Sequence, residues 1–151
     1  MQDHGEDLYR RGVYTYWRRS FWHPSLRAFD APAREECLAQ RPRSNTPLQS
    51  LALLNDPTYV EAARVLAAKM ITEVEGDPSS RIAWAFQRAV ARSPDAQEIS
   101  TLSALQQEQL ERYTADVEAA NALISTGEAP VPKEIPPAEL AAWTSVARVI
   151  L

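Results

Sequence analysis

The stretch Arg43–Pro57, RSNTPLQSLALLNDP, constrains the chain more than any other. Thr46, Pro47 and Gln49 spell a helix start: a hydroxyl cap, a proline at the first helical position and an amide three residues past the cap. Leu48, Leu51, Ala52, Leu53 and Leu54 leave almost no polar face, which predicts a central helix buried nearly all round. Asn55-Asp56-Pro57 stops that helix and opens the next one at once.

The same proline grammar recurs downstream. Eleven prolines stand against four glycines, and four of them, Pro47, Pro57, Pro78 and Pro94, follow Thr, Asp or Ser, as helix starts require. Asp56-Pro57 opens a helix striped by Val60, Ala63, Ala67, Met70 and Val74, with Gly76 ending it. Asp77-Pro78 opens another, with Ile82, Phe86, Ala89 and Val90 inward. Ser93-Pro94 opens a third, whose stripe runs from Ile99 to Ile124 before Gly127 stops it, about 45 Å of helix at ~1.5 Å per residue. GEAPVPKEIPP reads as a stiff extended linker. Leu140, Trp143, Ala147 and Ile150 then mark a final amphipathic helix, cut off in mid-pattern at Leu151.

Ahead of Thr46 the pattern changes. Val13-Tyr14-Thr15-Tyr16-Trp17 is β-branched and aromatic, which predicts a short strand, with a helical turn at Arg18–Trp22 and Cys37-Leu38-Ala39 as a second short strand. Helical spacing of Val13, Trp17 and Phe21 fits as well. The expected fold class is therefore mainly α: a helical domain of about five helices with a short N-terminal strand or hairpin. Residues 1–151 read as one partial domain. Its parts are an aromatic, arginine-rich segment and loop (1–45), a helical core (46–127), a proline-rich linker (128–137) and a truncated last helix (138–151).

Charge is uneven. Residues 1–50 carry eight arginines against six acids, giving +2, whereas residues 51–151 carry eight basic and fourteen acidic side chains, giving −6. An all-arginine basic set favours fixed, planar ion pairs and hydrogen bonds. Interleaved arginines and aromatics resemble a nucleic-acid surface, but the acidic net charge and the absence of a reader motif argue against that partner. No apolar run approaches the roughly 20 residues of a membrane span, and MQDHGEDLYRR has no signal-peptide pattern.

Catalytic residues are not legible. Cys37 as a nucleophile needs a neighbouring base, and only His4 and His23 exist; a half-buried structural thiol is the plainer reading. The histidines with Asp3 and Asp30 have no metal-binding spacing. Asp30 among the arginines is the stronger constellation. Arg18, Arg41 and Arg43 would bind an anionic ligand such as a sulfated or carboxylated sugar, or they pair internally with Asp30 to brace an irregular loop (27–45) over the start of the central helix. Asn45 and Gln49 either satisfy backbone groups there or point amides into a ligand groove. These six residues are the candidate ligand-binding set.

LYRRGVYTYWRRSF, FDAP, EEC and RSNTPLQSLALLNDPTYVEAAR resemble the planctomycete-type PSD-one domain, a domain of unknown function (number fifteen fifty-three), and GEAPVP and AAWTSVARVIL extend the likeness over nearly the whole chain. The resemblance implies a domain at the C-terminal end of a large exported protein, periplasmic or cell-envelope. A cytochrome-c-like haem segment and a further domain of unknown function would lie upstream. The chain has no haem-attachment CxxCH, so haem would belong to that separate domain and no cofactor to this chain. It stops before the family's asparagine-leucine ending, and Met1 is expected to be an internal start or a fragment boundary. The family brings no catalytic residues. Two functions fit: a structural or interaction module packed against other domains of the parent protein, or part of an enzyme acting on polysaccharide or another anionic substrate, its arginine-rich loop lining the cleft. The oligomeric state is open.

Overall fold

A computed structural model describes residues 4–15, 23–32, 37–40 and 42–151. Among them the chain is mainly helical. Seven α-helices follow in order: α1 (Pro24–Ala28), α2 (Pro47–Asn55), α3 (Pro57–Glu73), α4 (Pro78–Val90), α5 (Ala96–Ala115), α6 (Val117–Ile124) and α7 (Pro137–Ile150). The residues fall into two compact units, Met1–Asp56 and Pro57–Leu151.

Two differences raise the helix number from the expected five. Pro24 opens the short α1 within the arginine-rich segment. The long helix breaks at Asp116, whose φ of −128° and ψ of 83° leave the helical region. Asp116 then caps α6, its carboxylate accepting from the amide of Ala119 at 2.9 Å. The break deprives the first amides of α6 of the carbonyls four residues back, and the cap gives one of them a partner.

The expected strand is also replaced. Gly12–Tyr14 forms a 3-10 turn, with Thr15 N–H donating to the Gly12 carbonyl at 3.3 Å. A strand's backbone groups need a paired neighbour, and no described segment supplies one: Cys37–Ala39 has no regular structure. Local turn bonds satisfy the backbone instead. Tyr16, Trp17 and the turn expected at residues 18–22 lie outside the described residues.

In the second unit, aspartates write the helix starts. Asp77 accepts from the Ser80 amide at 3.2 Å, and Asp95 from the Glu98 amide at 2.7 Å. Asp95, not Ser93-Pro94, opens α5. Val60, Ala63, Ala67 and Met70 of α3 are buried as their spacing requires, together with Ile82 and Phe86 of α4. Ala89 and Val90 are exposed, because the chain turns left-handed at Ala91 (φ 55°) and α4 ends there. The core closes around α7, which packs against α3, α5 and α6. Leu140, Trp143, Val146, Ala147 and Ile150 are buried along it. Arginines tie α4 to its neighbours: Arg81 reaches Glu139 of α7 at 3.3 Å, and Arg88 reaches Glu73 of α3 at 3.7 Å.

Among its described residues, the first unit has no buried side chain. The leucine-rich α2, expected to be buried nearly all round, is exposed at Leu48 (62%), Leu51 (56%) and Leu54. Apolar composition sets what a helix prefers to bury; it does not supply the surface that covers it.

Candidate functional site

The candidate site lies in the first unit, at the start of α2. Thr46 adopts an extended conformation, and its hydroxyl accepts from the Gln49 amide at 3.4 Å. The Gln49 side-chain oxygen accepts in return from the Thr46 amide at 3.1 Å. This reciprocal box leaves the Gln49 amide nitrogen pointing outward. It donates to Ser44 Oγ at 3.1 Å and to Asp30 Oδ2 at 3.4 Å.

Asp30 is the hub of this arrangement. It follows α1 with a left-handed φ of 57°, a conformation that Asp tolerates better than most side chains. Its carboxylate accepts from the Ser44 amide at 2.7 Å and from the Ser44 hydroxyl at 2.8 Å. A loop residue thus braces the approach to α2, and two different helices set the geometry of one carboxylate.

Around the brace lies a recess of about 690 Å³ lined by Phe29, Asp30, Gln40, Arg43, Ser44 and Gln49, with Ala39 and Pro42. Of the six expected site residues, Asp30, Arg43 and Gln49 come together here. Asn45 is exposed and does not line the recess, and Arg18 and Arg41 lie outside the described residues. Ser44, Phe29 and Gln40 escaped the sequence reading. Ser44 had a legible signal, since a serine two residues before a capping threonine is suited to hydrogen-bonded turns.

Other groupings offer less chemistry. Cys37 is exposed, not half-buried as its sequence setting implied; the described residues that follow it, 38–40, are exposed too and form no helix or strand. Among the described residues, no three or more His, Cys, Asp or Glu side chains are placed to hold a metal ion. No described helix is long and apolar enough to cross a membrane.

A mainly helical chain with a carboxylate-braced helix start is the class that these features define. Residues 1–106 match the family model PSD1, "Protein of unknown function (DUF1553)", and the chain belongs to that family. The match takes in the whole first unit, with its TPLQ cap and FDAP turn, and continues into α5. No curated protein and no solved structure matches the chain.

Proposed function

We propose that the chain is the C-terminal helical module of a larger, exported multidomain protein that also carries a cytochrome-c-like haem domain, and that it serves as a structural or interaction domain there. The exposed Leu48 and Leu51 carry this reading. From Ser44 to Asn55 there is no charged side chain, so this helix offers apolar area with little to hold water against a partner. Tyr9, Val13, Tyr14 and Leu38 of the same unit are exposed as well. Exposed apolar surface, here Leu48 and Leu51 three residues apart on α2, marks interaction surfaces, and the family resemblance suggests the partner: a region upstream in the same polypeptide.

Hydrogen exchange tests the reading. Amides of 48–54 are expected to exchange more slowly in the protein extended upstream than in the 151-residue chain. The double substitution Leu48→Asp/Leu51→Asp should abolish that difference. Equal exchange in the two proteins would overturn the docking role.

A further inference from the structure

The recess beside α2 carries side chains that a docking role leaves unused. Its wall combines an aromatic ring (Phe29), a guanidinium (Arg43), two amides (Gln40, Gln49), a hydroxyl (Ser44) and a carboxylate (Asp30). Its volume of about 690 Å³ lies within the few hundred to roughly 1,000 Å³ of small-molecule sites.

The chemistry of the wall narrows the ligand. A purely apolar molecule would strip water from Asp30 and Arg43 with no bond in exchange. A phosphate dianion would meet, among the described lining residues, one cation and a carboxylate. The amides of Thr46 and Gln49 at the helix start, which would otherwise receive it, are committed to the cap. A divalent cation would find, among the described lining residues, one carboxylate where it prefers several oxygen ligands. A ligand with a single negative charge, several hydroxyls and an apolar C–H face matches what remains.

We propose that the recess binds a uronic acid, a sugar bearing one carboxylate. The sugar carboxylate would take the Arg43 guanidinium in a two-bond fork. Its hydroxyls both donate and accept, as does the Gln40 amide, and Ser44 Oγ, bonded to Asp30 and Gln49, keeps a lone pair to accept with; its C–H face lies against Phe29. Asp30 is a positioning residue: it holds Ser44 and Gln49 through the hydrogen bonds at 2.7–3.4 Å. This assignment does not depend on the docking role of the leucine face.

Calorimetric titration of the intact chain with glucuronate and galacturonate tests it, with glucose and acetate as controls. At least one uronate is expected to bind on the order of tenfold more tightly than glucose, the margin of one charged hydrogen-bonded contact, and more tightly than acetate by the contacts of its hydroxyls and C–H face. Arg43→Gln should remove the margin over glucose without shifting the unfolding transition, because Arg43 is exposed. Should that variant fail to fold, Gln40→Ala, also at an exposed position, is expected to weaken the uronate severalfold and leave acetate unchanged. Acetate binding as tightly as the uronates would identify an adventitious ion only. Equal binding of glucose and uronate, or no binding of any probe, would equally overturn the proposal.

Discussion

The Glu61 side chain occupies the space that a Cβ on residue 127 would need. Such a Cβ would stand 2.6 Å from Glu61 Cβ, and Gly127 has a φ of 95°. The close approach lets the buried Glu61 carboxylate (2% exposed) accept from the amides of Glu128 and Ala129, the latter at 3.0 Å. One turn along α3, the buried Arg64 donates to the carbonyls of Ala129 and Pro130 at 2.7 and 3.1 Å. An acid and a base at i and i+3 thus grip the two polar edges of one loop, the loop that delivers the chain to α7.

Gly127→Ala is therefore expected to be among the most damaging small substitutions in the second unit. Positive φ costs a non-glycine residue about 1–2 kcal/mol, and overpacking adds about 1–3 kcal/mol. A loss of roughly 2–4 kcal/mol would lower the melting temperature by about 10 °C or more. Circular dichroism melting measures it; a loss under about 1 kcal/mol would mean that the loop has another path past Glu61.

The two jaws of the clamp should also be coupled. Glu61→Gln and Arg64→Met each leave buried backbone groups without their charged partner, at about 1–3 kcal/mol apiece. Once one jaw releases the loop, the other has less to hold. The double variant should be less destabilised than the sum of the singles by more than about 0.5 kcal/mol. Strict additivity in denaturant unfolding would show two independent contacts.

How far such features are legible in the chain depends on what the side chains bind. Thr46, Pro47 and Gln49 could be read because a capping box closes within four residues, and the α3 stripe could be read because its period is local. The break at Asp116 was hidden, since the apolar period runs through it from Tyr113 to Ala120; the cap residue was present but outweighed by the pattern. Glu61 and Arg64 gave no signal, because their partners are backbone groups more than sixty residues away, and backbone carries no letter. At the candidate site, arginines drew attention to Asp30, whereas the hydrogen bonds described above come from Ser44 and Gln49. The exposure of Leu48 and Leu51 was illegible for a different reason: hydrophobicity does not name a covering surface.

Asp30 should be sensitive in a graded way. Asn keeps tolerance of the left-handed conformation and an acceptor oxygen, so Asp30→Asn is expected to cost under about 1 kcal/mol. Asp30→Ala loses both and should cost roughly 2 kcal/mol. The diagnostic readout is the Ser44 amide, which donates to Asp30: its hydrogen exchange should accelerate strongly in Asp30→Ala and only slightly in Asp30→Asn. Unchanged exchange in both would remove the brace from the account of this loop.

The start of α5 should make the second unit sensitive to acid in a defined window. Arg92 forks onto Glu98, with bonds of 2.8 and 2.5 Å, and Glu98 also accepts from the Asp95 amide at 2.8 Å. The arginine first, and the backbone amide second, hold the Glu98 carboxyl well below its usual 4.5, at about 2. The lowered value is that of the folded state, so the ionised form is favoured by folding. Its contribution is complete above about 4.5 and is lost as pH falls toward about 2. Asp77 acts in the same direction, its carboxyl lowered chiefly by the Ser80 hydroxyl and then by the Ser80 amide. Arg92→Gln is expected to return the Glu98 carboxyl toward its usual range, lower stability at neutral pH and shrink the loss on acidification. Carboxyl NMR of Glu98 during a pH titration, with melting temperatures at each step, measures both effects. A midpoint near 4.5 in the unsubstituted protein would show that the fork has no hold on the proton.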